Sequence, residues 1–139
     1  MTTIAADVLA GLMCSDSKWS DDNTVGIARK VWRVQRALIG AAGELDEMSR
    51  WLALYRAAGK LRGASLSVLR LSTGGLDCWT HIDGWVPILD KQFAIGTGGA
   101  AARGAMAAGA ACPAAVRIAC HIDASTRGPV RSYKLRAAT

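Results

Sequence analysis

The sequence predicts a single α+β domain over residues 1–139. Three observations carry that expectation. Its elements come as strands, one helix, more strands, two helices and a last strand, which is segregated rather than alternating βαβ order. Residues 44–58 hold an amphipathic helix, with Leu45, Met48, Trp51, Leu52 and Tyr55 recurring at three and four spacing. Residues 98–111 hold a second helix, built almost wholly of Ala and Gly.

The elements follow in order. TIAADVL reads as a first strand and GLMCSD as its return, with Ala10 and Gly11 in the turn. WSDDNTVG is polar and reads as a loop. RKVWRVQRALIGAAG reads as a second hairpin, with Val31, Leu38 and Ile39 inward and Trp32 and Val34 on the opposite parity. Glu44, Asp46 and Glu47 favour the first turn of the helix that follows, and Gly59 is the expected stop. ASLSVLRLS alternates as a strand, and Thr73-Gly74-Gly75 turns it into LDCWTHI. WVPILD and QFAIG are short extended pieces. After the Ala/Gly helix, Pro113 opens a third helix, PAAVRIACHI, because a first-turn residue has no N–H to lose. DASTRG is a polar turn, and PVRSYKL is the closing strand.

Composition narrows the function classes. With 51% apolar residues the chain can bury a core, yet no stretch is long and apolar enough to span a bilayer. Its start lacks the charged and apolar regions of a secretory signal, so a cytoplasmic location without membrane attachment is expected. Cys14, Cys78, Cys112 and Cys120 form no CxxC pair and read as small buried apolar residues. With only two histidines, and no zinc-module spacing, neither a metal nor a cofactor is expected. The net charge of +6 is scattered, with no recognisable nucleic-acid motif, so it reads as a solvated face rather than a specific nucleic-acid site. Gly96-x-Gly98-x-x-Ala101 follows a strand and opens a helix, as a dinucleotide fingerprint does. Too little chain follows to complete a Rossmann core, and a tight turn into a closely packed helix is the preferred reading.

Two charged residues stand out at strand ends: Asp16 closes LMCSD and Lys30 opens ARKV. At strand ends such charges are usually ordinary surface charges; as a pair beside Thr2 they could instead tune its hydroxyl, because a lysine buried near a carboxylate has its own pKa pulled down by desolvation. TTIAAD at the start, SDS at 15–17, ARKV at 28–31, LIGAAG at 38–43, FAIGTGGAAARGAM at 93–106 and DASTRG at 123–128 occur in one order along the chain. In that order they resemble the proteasome β-subunit family, and within it the HslV-type peptidases of the N-terminal nucleophile (Ntn) hydrolases. The resemblance implies an αββα four-layer sandwich. One helix of the first helical layer is missing here, because residues 44–58 lead through KLRG straight into the next strand.

The resemblance also implies a chemistry. Thr2 becomes the N-terminal residue once Met1 is removed, its hydroxyl attacks an amide carbonyl, and its own α-amine is the base. Lys30 lowers the hydroxyl pKa and Asp16 orients Lys30. Gly43 offers its backbone N–H to the oxyanion. Thr97, Asp123 and Thr126 hold the amine from the other side. Glu44 stands where the family has a glycine. Trp19, Ala28, Trp32, Ala41 and Leu45 are the expected substrate-binding residues, with Ala41 as a small floor that leaves room for a bulky apolar side chain. The implied partners are further copies of the chain in a ring, a peptide or unfolded protein as substrate, and an ATP-dependent unfoldase. Two other classes stay open on the residues alone: a catalytically inactive Ntn-fold structural or assembly subunit, and a basic nucleic-acid-binding module.

Overall fold

The structure, a computed structural model, describes residues 2–20 and 25–136. Two antiparallel sheets lie face to face with helices on both outer sides. Strands β1 (Thr3–Asp7), β2 (Leu12–Ser15), β10 (Gln92–Gly96) and β11 (Arg131–Lys134) form one sheet, in the order β10-β1-β2-β11. Strands β5 (Val31–Val34), β6 (Ala37–Ala42), β7 (Ser67–Ser72), β8 (Gly75–Thr80) and β9 (Gly84–Ile88) form the other, in sequence order. Among the described residues, the two remaining strands, β3 (Lys18–Ser20) and β4 (Val25–Ile27), pair with each other alone.

Three apolar clusters bind the four layers. Ile4, Met13, Val31, Leu38, Leu69 and Leu71 fill the space between the sheets. On the far side of the five-stranded sheet, Ile39, Ala41 and Val68 pack against Met48, Trp51 and Leu52 of α1 (Leu45–Arg56). On the far side of the four-stranded sheet, Ala5, Cys14 and Ala94 pack against α2 (Gly99–Ala107) and α3 (Cys112–Ile122). Alternate residues of β1 and β6 thus face different cores, and both central strands are almost wholly buried. The opposite parity of Val31 and Trp32 has the same cause: Val31 faces the other sheet, and Trp32 packs towards α1.

Two expectations need correction. WSDDNTVG is not simply a loop: its ends lie in the β3–β4 hairpin, and residues 21–24 lie outside the described residues. Nor is Gly59 the residue that turns α1 off. Ala58 takes the left-handed conformation with φ of 53°, and Gly59 N–H then donates to Leu54 O at 2.8 Å. Together with Ala58 N–H to Tyr55 O this is a Schellman ending with alanine at the strained position. The four cysteines are free. Among the described residues, no helix is long and apolar enough to cross a membrane.

Candidate active site

The site gathers at the end of the sandwich where β1 begins. Thr2 precedes β1 and is buried. It lines a cleft of about 780 Å³ together with Lys30, Gly43, Trp19, Ala28 and Leu45. Each comes from a different local device. Lys30 sits immediately before β5, and Gly43 fills the junction between β6 and α1. Trp19 lies on β3, and Leu45 is the first residue of α1.

Lys30 is held by an ion pair that water barely reaches. Its Nζ donates to both carboxylate oxygens of Asp16, at 3.0 and 3.1 Å, with the two side chains 4% and 0% exposed. Asp16 also accepts the N–H of Thr3 at 3.1 Å and that of Arg127 at 3.2 Å. A carboxylate so surrounded has its lone pairs occupied, which is what makes burial of an ion pair tolerable. Burial holds the Lys30 ammonium below the usual lysine range, against the opposing pull of Asp16, and the nearby Lys18 charge lowers it further.

A second network lies across β1. Thr97 Oγ1 donates to Asp123 Oδ2 at 2.5 Å, and Thr126 Oγ1 donates to the same oxygen at 2.7 Å. Thr126 Oγ1 is also 2.8 Å from Thr3 Oγ1, so the chain of hydroxyls reaches the residue that follows Thr2. Desolvation pushes the Asp123 carboxyl up, but the donors Thr97, Thr126 and Ser125 N–H outweigh it, and the net value lies below the ordinary 3.8.

Gly96 and Gly98 of GTGG are required by this contact. Gly96 has φ of +94°, and a Cβ there would stand 1.8 Å from Thr2 O. A Cβ on Gly98 would stand 2.0 Å from Thr3 Oγ1 and 2.9 Å from Thr126 Oγ1. No side chain fits at either place. The loop is therefore a tight turn pressed against the start of β1, as preferred over dinucleotide binding.

All seven residues expected to be catalytic thus fall around the head of β1, in the cleft or in the networks behind it. Of the expected substrate-binding residues, Trp19, Ala28 and Leu45 line the cleft. Trp32 and Ala41 do not: both pack in the α1 core, and Ala41 is only 2% exposed. Met48 and Ser49 of α1, Ser65 and Lys18 stand in the lining instead. Thr3 and Arg127 also escaped the sequence reading. Thr3 had a visible signal in the doubled threonine. Arg127 contributes through its backbone N–H, which no side-chain pattern reveals.

No protein-family model matches this chain, and no curated protein matches its sequence. Solved structures do match its fold. HslV from Trypanosoma brucei has a TM-score of 0.74 at 18% identity, covering 95% of this chain and 98% of that one. Thiobacillus denitrificans BPH has a TM-score of 0.72 at 17% identity, covering 99% of both chains. The same BPH in complex with epoxomicin has a TM-score of 0.73 at 16% identity, covering 98% of this chain and 100% of that one. At such identities the likeness establishes the fold. The chain has the HslV-like proteasome β-subunit fold, an α+β Ntn-type sandwich.

Proposed function

We propose that this protein is a threonine peptidase that acts through Thr2 after removal of Met1. The observation that carries the reading is the shared cleft: Thr2 lines it with Lys30 and Gly43, and Asp16 fixes Lys30 from behind. Met1 itself lies outside the described residues.

The steps follow from the groups present. The freed α-amine of Thr2 takes the proton of its own hydroxyl, an exchange suited to an amine with an ordinary pKa of about 7.7–8.0. The oxygen attacks the amide carbon, and the carbonyl π electrons move to oxygen. Gly43 N–H receives that oxyanion. The Lys30 ammonium favours the negative oxygen of Thr2. Collapse breaks the C–N bond, the amine product leaves with the proton from the α-ammonium, and water then hydrolyses the ester. Thr97, Asp123 and Thr126 hold the amine end in register. Neither a metal nor a cofactor enters these steps.

The likeness to HslV and BPH over nearly the full length of each chain supports self-association of this single domain into a homo-oligomeric ring, with peptides or unfolded protein as substrate.

Intact mass of the purified protein, with and without a peptide epoxyketone, tests the reading. Loss of Met1 with a single adduct per chain is expected, and Thr2→Ala should take up none and cleave no peptide. Retained Met1 without an adduct would overturn it in favour of a catalytically inactive Ntn-fold subunit.

A further inference from the structure

The chain has four cysteines, and the proposed mechanism uses none of them. Two of them lie together. Cys14 on β2 and Cys112 at the start of α3 both belong to the apolar cluster between the four-stranded sheet and its helices, and both are buried. The strand register brings them to one place. Ala5 on β1 is the residue directly opposite Cys14, and the Cys112 thiol donates to Ala5 O at 3.4 Å. The two cysteine side chains are also within hydrogen-bonding reach of each other. Ser132, opposite Cys14 on β11, completes the surroundings, with its Oγ 3.5 Å from Cys14 Sγ.

The two sulfurs are not equivalent. The hydrogen bond with Cys112 holds the Cys14 thiol below the usual thiol range in spite of burial. Ser132 and the Arg117 charge act in the same direction, and Asp7 acts against them. The same hydrogen bond, together with burial, pushes the Cys112 thiol up. Cys14 is therefore the nucleophile of the pair, since the thiolate is the reactive form. Cys78 and Cys120 are both pushed up, first of all by burial. The pair also has a way in. Ala111, which precedes Cys112, is exposed, as are Ala108 and Gly109 in the turn that follows α2. Parting the first turn of α3 from the sheet admits a reactant as small as a peroxide.

We infer that Cys14 and Cys112 are a peroxide-oxidisable pair whose disulfide clamps α3 to the four-stranded sheet. The Cys14 thiolate attacks one oxygen of the peroxide, the O–O bond breaks, and a sulfenic acid forms as hydroxide leaves. The Cys112 thiolate then attacks that sulfur, the S–O bond breaks, and a second hydroxide leaves. The two thiol protons turn both hydroxides into water. Hydrogen peroxide and two thiols thus become one disulfide and two waters. A dithiol reductant returns the pair to its open form. The clamp closes a loop of roughly 100 residues, and long loops restrict the unfolded chain most. Nothing in this chemistry depends on the peptidase reading.

The test treats the folded protein with hydrogen peroxide, removes the excess with catalase, then unfolds the chain in urea and alkylates it with iodoacetamide. Alkylated sites per chain should fall from four to two. An unreduced digest should yield one linked pair of peptides, holding Cys14 and Cys112. The thermal midpoint should rise by about 5 °C or more and return on adding dithiothreitol. In Cys112→Ser the sulfenic acid has no partner, and a cyclic 1,3-dione should trap it at Cys14. Oxidation at Cys78 or Cys120 while Cys14 and Cys112 still alkylate would overturn the pair. So would links spread among all four cysteines, the pattern of a reaction through the unfolded chain. A Cys14–Cys112 link that leaves the midpoint unchanged would overturn the clamp.

Discussion

Asp16 and Lys30 are one interaction with two unequal halves. Asp16→Ala leaves a buried ammonium without its carboxylate and also orphans the N–H groups of Thr3 and Arg127. A loss of about 3–5 kcal/mol in folding stability is expected. Lys30→Met leaves the carboxylate with those two backbone donors, so its stability loss should be clearly smaller. Both variants should lose epoxyketone labelling. Urea unfolding beside a labelling assay separates the effects, and equal stability losses would contradict this account. The pH response follows from the same burial. Because folding lowers the Lys30 pKa below 10.5, the folded state binds fewer protons between that lowered value and 10.5, and stability contributed by this group rises with pH across that window. The proposed activity should run the other way. The ammonium is lost as pH rises through the lowered value, so the alkaline limb of peptide cleavage should lie below pH 10.5. Residual cleavage by Lys30→Arg should lack that limb, since arginine keeps its charge throughout. These partners were legible through the resemblance, as a set of residue types in sequence order; by themselves, two charges at strand ends read most simply as surface charges. Their connection through Thr3 N–H and Arg127 N–H was not legible, because backbone donors carry no residue signature.

Among the elements, those with a strong period were read well and those set by their partners were not. The α1 stripe and the β1–β2, β5–β6 and β7–β8 hairpins matched because apolar spacing alone determines which side faces a core. The β3–β4 hairpin failed the same test. Val25 and Ile27 are exposed, so its pattern gives no buried face to detect. The turn between β5 and β6 is equally silent. Gln35 and Arg36 both take positive φ, 50° and 67°, the two-residue geometry that usually carries Asn-Gly. The end of α1 makes this strain testable. Ala58 is exposed with φ of 53°, where a Cβ costs about 1–2 kcal/mol. Glycine would release that strain but add freedom to the unfolded chain, worth about 0.4–1 kcal/mol. Ala58→Gly should therefore stabilise the protein by roughly 0.5–1 kcal/mol. The readout is the urea midpoint, at unchanged labelling of Thr2. A lower midpoint would mean that the Schellman ending does not form as described.

For the whole molecule, the two helical layers hold the sandwich by different means. On one side α2 and α3 bring small residues close to the four-stranded sheet, and the site depends on that approach through Gly98. On the other side, among the described residues, α1 is the helix that covers the five-stranded sheet, and it does so with aromatic bulk. Trp51 is 1% exposed, stacks on Tyr55 at 5.2 Å, and meets Trp79 and Trp85 edge-on at 5.7 and 5.9 Å. The segregated α+β class could be read from element order, because that order survives errors at element ends. The distribution of packing between the layers could not, since it depends on which strands switch sheets: β8 pairs with β9, while β10 crosses to β1. The consequence is a division of labour. Trp51→Ala removes the centre of the aromatic cluster where one helix must cover the sheet, and the loss should be about 3–5 kcal/mol. The cleft shares α1 through Leu45 and Met48 but not through Trp51. At low temperature, where the variant remains folded, Thr2 should still take up an epoxyketone, and the thermal midpoint should fall by several degrees or more. A variant that keeps its midpoint would show that α1 does not carry this face. One that keeps its fold yet loses labelling would show that the aromatic cluster sets the geometry of the cleft as well as its stability.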